Sequence, residues 1–271
     1  MTLVLATKTA GKIKFCTDSR LTFGTNLYAD VGVKLFTIPI KVSSGGKIQY
    51  ENTWGMAIAG STTSSYILKE ITQQILSDIE LTKQPADFAK NICEYVLHIH
   101  KKLSDQLLPI LRENGKSFFL LAGFCPNQEK VRTFGFEYDD TAVPPMPTFD
   151  ELNIQDNTII MFGSGKAAAQ AHNNWTSWSI IKVMEKVITD GIEPSVGGKI
   201  QYGEFNESQA FELTQLLDMH KDGDTWKTNL TLNVFEYYKD NFGIQIFSPN
   251  LKTIASHPEN VDKYVADQGK D

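Results

Sequence analysis

The chain has 271 residues, 41% of them apolar and 21% charged, proportions that build a buried core and exclude global disorder. Its 26 basic and 32 acidic side chains leave a net charge of −6, with no basic cluster to offset it. That argues against a surface built for nucleic acid or an anionic membrane. The longest apolar runs, such as Phe118 to Ala122, fall far short of the roughly 20 residues of a membrane helix. The opening Met1-Thr2-Leu3-Val4 has no basic region ahead of an apolar run and no small-residue cleavage site, so a cytoplasmic location is expected. Three cysteines without Cys-x-x-Cys spacing (Cys16, Cys93, Cys125) disfavour a disulfide framework and a structural zinc site.

In chain order, Leu3 to Thr7 and Ile13 to Cys16 read as strands joined by a turn at Ala10-Gly11-Lys12. Lys34 to Ile38 is a further strand, and Ile48 to Tyr50 and Trp54 to Ala59 flank a polar turn at Glu51-Asn52-Thr53. The period then changes. Ile67, Leu68, Ile71, Ile75, Leu76 and Ile79 recur at helical spacing behind capping candidates in Ser61 to Ser65. A second helix begins near Pro85, carries Phe88, Ile92, Val96, Ile99 and Leu103 on one face, and is expected to kink or end at Pro109.

Strands resume at Ser117 to Phe124 and Val131 to Tyr138, followed by a proline-rich loop from Asp139 to Asp156. Thr158 to Phe162 is a strand ending in Gly163-Ser164-Gly165, and a third helix is expected over Ala167 to Ile188. A strand at Gly197 to Tyr202, a helical segment at Glu207 to His220, and strands at Leu230 to Tyr237 and Gly243 to Phe247 complete the reading. This order suits an α+β fold, a four-layer αββα sandwich of two mainly antiparallel sheets. One domain is expected over 1–250, with a polar C-terminal tail over 251–271. The hexapeptide Gly-Gly-Lys-Ile-Gln-Tyr occurs at 45–50 and again at 197–202. It lacks the sustained period of a repeat architecture and reads as two similar strand beginnings.

The chemistry lies at the start of the chain. A small residue at position 2 allows removal of Met1, leaving Thr2 with a free α-amine beside its own hydroxyl. An α-amine of pKa near 7.7–8.0 is a suitable base for a hydroxyl that is otherwise a poor nucleophile. Many chains begin Met-Thr, so this feature alone decides nothing. The ordered set that follows is more specific: Thr2-Leu3-Val4-Leu5-Ala6, Asp18-Ser19-Arg20-Leu21-Thr22, Val33-Lys34-Leu35-Phe36, and Met56-Ala57-Ile58-Ala59-Gly60-Ser61. Sixteen residues separate Thr2 from Asp18, and sixteen more separate Asp18 from Lys34.

Together these segments resemble the opening of proteasome β-subunits and their bacterial relatives. The likeness continues through Phe162-Gly163-Ser164-Gly165 to Ser195-Val196-Gly197-Gly198, covering roughly residues 2–205. The wording Pro-Ser-Val-Gly-Gly is somewhat closer to the Anbu-type branch than to HslV. The resemblance implies an N-terminal-nucleophile fold and a threonine-type peptidase that needs no cofactor. It implies catalytic roles for Thr2, Asp18, Lys34, Gly60, Ser164 and Glu193, with Leu21, Thr22, Ile58 and Thr62 in substrate binding and a moderately apolar preference.

Those roles are chemically sensible. Lys34 is a fixed positive charge that lowers the proton affinity of its neighbours, and Asp18 is the partner that holds it. Gly60 offers a backbone N–H to the developing oxyanion, and Ser164 hydrogen-bonds the α-amine. The plainer readings are an exposed Asp–Lys pair of little worth, a turn glycine and an N-cap serine. One departure stands out: Glu193 and Val196 occupy positions where the family has Asp and Ser, so one leg of the network around the N-terminus is missing or has moved.

Other signals are weaker. The Gly-Ser-Gly-Lys and Gly-Gly-Lys segments lack phosphate-loop spacing, and His98 and His100 lie on different helix faces rather than together as metal ligands. The expected partners are a peptide or unfolded protein as substrate, further copies of the chain in a ring or ring-like stack, and an ATPase unfoldase. Nucleic acid and membrane are not expected. A catalytically inactive assembly subunit of the same fold and a hydrolase of small amides remain as alternatives.

Overall fold

A computed structural model describes residues 2–23, 27–222, 225–232, 235–236, 252–255, 259–260 and 263. Alternation in the first strand decides how the core is divided. Leu3 and Leu5 point to one side of β1 (Val4–Thr9), while Val4 and Ala6 point to the other, as the two-residue period of a strand requires. β1 pairs with β2 (Lys12–Thr17), and a separate small hairpin follows, β3 (Leu21–Phe23) with β4 (Leu27–Ala29). Next come β5 (Leu35–Ser44), β6 (Lys47–Gly60), helix α1 (Thr62–Leu76), β7 (Ile79–Glu80) and helix α2 (Phe88–Leu111). Then follow β8 (Ser117–Cys125), β9 (Lys130–Asp139), β10 (Met146–Glu151) and β11 (Ile159–Phe162). Two short helices, α3 (Lys166–Gln170) and α4 (Ile180–Asp190), precede β12 (Gln201–Phe205), β13 (Phe211–Asp222), β14 (Thr225–Leu232), β15 (Phe235–Glu236) and β16 (Thr253–Ala255).

One sheet runs β11-β1-β2-β12-β13-β14-β15, with β16 added parallel to β13, and a second runs β10-β9-β8-β6-β5-β7. Among the described residues the pairs β5–β7 and β13–β16 are parallel and the remaining pairs antiparallel, which makes the fold α+β. Three apolar clusters hold it together. Val4, Ala6, Phe15, Leu35, Ala57 and Leu120 join residues of both sheets. Trp54, Met56, Phe119 and Phe136 pack with Leu68 of α1 and Ile92 and Val96 of α2. Leu3, Leu5 and Met161 pack with Val183, Met184 and Val187 of α4. Among the described residues no helix is long and apolar enough to cross a membrane, and all three cysteines are free and buried.

Several sequence expectations need correction. The two strands expected around Glu51-Asn52-Thr53 are one continuous β6, whose turn lies instead at Gly45-Gly46. The expected loop at Asp139 to Asp156 contains β10, an edge strand where proline costs no ladder bond that the sheet needs. The third helix is broken into α3, a 3₁₀ turn at Trp175–Ser177, and α4, which Ser179 caps by accepting from the Lys182 N–H at 3.2 Å. Strand β12 begins only at Gln201. Helix α2 runs through Pro109 and ends two residues later, after starting from an Asp87 cap. The helical segment expected at Glu207 to His220 is largely strand β13: Phe211 packs in the cluster joining the sheets and Leu216 in the cluster beneath α4. Apolar residues on both faces hide a strand's alternation and mimic helical spacing. The strand expected at Gly243 to Phe247 lies outside the described residues.

Candidate active site

The site is built where three segments leave the two sheets. Thr2 precedes β1, Asp18 follows β2, and Lys34 precedes β5. All three are buried, at 2%, 0% and 4% exposure. The Lys34 ammonium donates to both Asp18 carboxylate oxygens at 3.0 Å and to the Thr2 hydroxyl oxygen. Asp18 also accepts from the backbone N–H of Leu3 at 3.1 Å, Arg20 at 3.0 Å and Gly197 at 3.2 Å. These donors hold the carboxylate in one place, so that it serves as a fixed anchor for the lysine. Burial pushes the Lys34 ammonium below its ordinary pKa, while Asp18 opposes that shift. A lysine poised this way is a positive charge that releases its proton more readily than an exposed one.

Gln201 fixes the Lys34 backbone. Its side-chain oxygen accepts from the N–H of Lys34 at 2.9 Å and of Leu35 at 3.2 Å, and its amide donates to the carbonyls of Gly32 at 2.7 Å and Asp18 at 3.3 Å. The carbonyl of Thr2 is held from the other side. Gly165 N–H donates to it at 3.3 Å, and Gly163 sits so close that a Cβ there would lie 2.1 Å from that oxygen. Only glycine allows that approach, and its φ of +90° is a second reason.

A directional chain of hydrogen bonds starts at the Thr2 nitrogen. It donates to Ser164 Oγ at 3.2 Å; Ser164 and Ser195 hydroxyls lie 2.8 Å apart; and the Ser195 hydroxyl donates to Glu193 Oε1 at 2.6 Å. Because Ser195 spends its proton on Glu193, Ser164 is the donor to Ser195. Ser195 supplies the hydroxyl that Val196 cannot. Val196 is buried in the core, packed where a Cβ on Gly165 would meet it at 2.7 Å.

Beside Thr2 lies a small depression lined by Leu21, Lys34, Ile58, Gly60, Thr62 and Tyr66, together with Ala59 and Ser65. The structure therefore brings together Thr2, Asp18, Lys34, Gly60, Ser164, Leu21, Ile58 and Thr62, and connects Glu193 through Ser195. Thr22 is not among the lining residues; it sits in β3 opposite Tyr28. Two contributors were not singled out from sequence, Gln201 and Tyr66, and Ser195 was given no role there. Among the described residues no three His, Cys, Asp or Glu side chains come together as a metal site.

A mixed α+β fold with a buried threonine–aspartate–lysine cluster at the mouth of its first strand is the class the geometry defines. The fold is shared with solved Anbu proteins. An Anbu Gly-1 mutant from Hyphomicrobium sp. strain MC1 matches with a TM-score of 0.53 at 14% identity, over 84% of this chain and 87% of that one. The helical assembly of the Anbu complex from Pseudomonas aeruginosa matches at 0.53 and 15% identity, over 78% and 85%. Anbu, the ancestral β-subunit, from Yersinia bercovieri matches at 0.52 and 15%, over 78% and 86%. At this identity the likeness establishes the fold. No protein-family model and no curated protein matches the sequence.

Proposed function

We propose that the chain is a threonine-type endopeptidase, an N-terminal-nucleophile hydrolase whose nucleophile is Thr2 once Met1 is removed. The observation that carries this reading is the Lys34 ammonium bridging the Asp18 carboxylate and the Thr2 hydroxyl in a buried site. The Thr2 oxygen attacks the scissile carbonyl, and its proton passes to the freed α-amine, held by Ser164. Lys34 lowers the proton affinity of that oxygen, and the Gly60 N–H takes the developing oxyanion. The C–N bond breaks as the leaving amine takes the proton, giving an ester on Thr2. Water then cleaves the ester and restores the hydroxyl.

The three apolar clusters support a four-layer αββα arrangement as the finer description of the fold. Homo-oligomeric assembly belongs to the same reading, since a neighbour of the same fold is described as a helical assembly.

The test compares preparations with Met1 retained and removed, each confirmed by intact mass. The Met1-free protein is expected to turn over peptides and to form a covalent adduct with a peptide vinyl sulfone at Thr2. The Met1-retaining form and Thr2→Ala are expected to lose activity by at least about 10³-fold, because nucleophile and base act as a unit. Equal turnover in the two preparations defeats the mechanism.

A further inference from the structure

The depression beside Thr2 is nearly full. Its volume open to the centre of a water molecule is about 10 Å³, room for roughly one water. By the same measure the groove along the outer edge of β5 holds about 340 Å³. Two of the side chains that line it, Leu21 and Tyr66, are themselves held in place. Leu21 leans on the backbone of Gly32, where a Cβ would lie 2.3 Å from its Cδ2. Tyr66, one turn into α1, crosses from the helix to the segment that carries Lys34 into β5. Its hydroxyl accepts from the backbone N–H of Val33, and its ring meets Phe36 edge-on at 6.1 Å.

We propose that Tyr66 closes the pocket next to the nucleophile, so that the enzyme takes glycine or alanine, and rejects larger side chains, on the acyl side of the bond it cuts. This rests on the peptidase reading above. An attacked carbonyl within reach of Thr2 Oγ1 and the Gly60 N–H puts the side chain of its own residue into this depression, because both groups line it. A methyl group fits there. An isobutyl or benzyl group fits only if Tyr66 swings out, breaking its bond to Val33 and its contact with Phe36. The moderately apolar preference implied by Leu21, Ile58 and Thr62 is thereby narrowed to small residues.

The experiment uses the Met1-free full chain and four peptide-aminocoumarin substrates that differ only in the residue whose carbonyl is attacked: Gly, Ala, Leu or Phe. For the wild type, kcat/KM for Ala is expected to exceed that for Leu by at least about 10-fold, in line with what a few methylenes in a tight pocket decide. Tyr66→Ala is expected to reverse that ratio, Tyr66→Val to move it part of the way, and Tyr66→Phe to move it least, since it keeps the ring and its contact with Phe36 and loses only the bond to Val33. A merely structural role for Tyr66 changes rates without moving the ratio. Thr2-dependent turnover with Leu or Phe accepted as well as Ala by the wild type, or a ratio unmoved in both Tyr66→Ala and Tyr66→Val, overturns the inference and leaves the peptidase reading standing. No turnover of any of the four that depends on Thr2 overturns both.

Discussion

Residues 45–50 and 197–202 spell the same six letters and do unrelated work. In the first copy Gly45 and Gly46 form the two-residue turn between β5 and β6, with φ of +57° and +74° and open space around both. Positive φ at both central residues matches the twist of an antiparallel hairpin. Gln49 is exposed, and Tyr50 turns inward, donating to the Phe124 carbonyl at 2.7 Å and accepting from Trp54 Nε1 at 2.9 Å. In the second copy Gly197 lies against the Arg20 guanidinium and donates to Asp18, and Gly198, at φ +76°, faces Ser19 Oγ where a Cβ would be 2.3 Å away. Gln201 is fully buried and makes four hydrogen bonds, while Tyr202 donates to Glu204 at 3.0 Å. Gly45 and Gln49 are exposed where Gly197 and Gln201 are buried, because the chain around the two copies differs. The first copy turns freely in solvent, whereas the second is closed over by the segments that carry Asp18, Arg20 and Lys34.

Matched substitutions in the two copies measure that difference. The largest gap is expected at the glutamines. Gln201→Ala leaves two buried N–H groups and two buried carbonyls without partners and is expected to cost about 4 kcal/mol, with Lys34 displaced and peptidase activity lost, whereas Gln49→Ala stays within about 0.5 kcal/mol of wild type. Urea unfolding and peptide turnover read both, and equal costs refute the contrast. Next come the glycines. Gly198→Ala combines a strained φ with a collision and is expected to cost about 3 kcal/mol, against about 1 kcal/mol for Gly46→Ala, where only the φ is strained. The smallest gap runs the other way. Tyr50→Phe removes a donor to the half-buried Phe124 carbonyl and the acceptor of the buried Trp54 N–H and is expected to cost about 2 kcal/mol, while Tyr202→Phe removes one donor to a carboxylate and costs about 1 kcal/mol. A greater loss at Tyr202 contradicts that account.

What the sequence made legible follows the same division. Strand β1, helices α1 and α2, and the spacing of Thr2, Asp18 and Lys34 were readable because each rests on a local period or an ordered motif. The Ser195 hydroxyl and the Gln201 amide were not, since nothing local distinguishes a serine before a core valine, or Gln201 from Gln49. Their roles are set by partners up to 183 residues away. The misread of β13 as helix has the same origin: its two apolar faces meet different clusters, and only the packed fold reveals that there are two.

Asp18 has one more consequence, and it concerns time. Its donors come from Leu3, Arg20, Lys34 and Gly197, so the last of them is 179 residues further along the chain. A ribosome adding about 5–20 residues per second leaves an interval of roughly ten seconds or more between exposing Thr2 and supplying the final clasp. Throughout that interval Lys34 lacks Gln201 beneath it, and Ser164 lacks Ser195 beyond it. If the peptidase proposal holds, a half-made copy therefore carries Thr2 without its finished surroundings, and it stays inactive until Gly197 and Gln201 have been synthesised and folded back over the beginning of the chain.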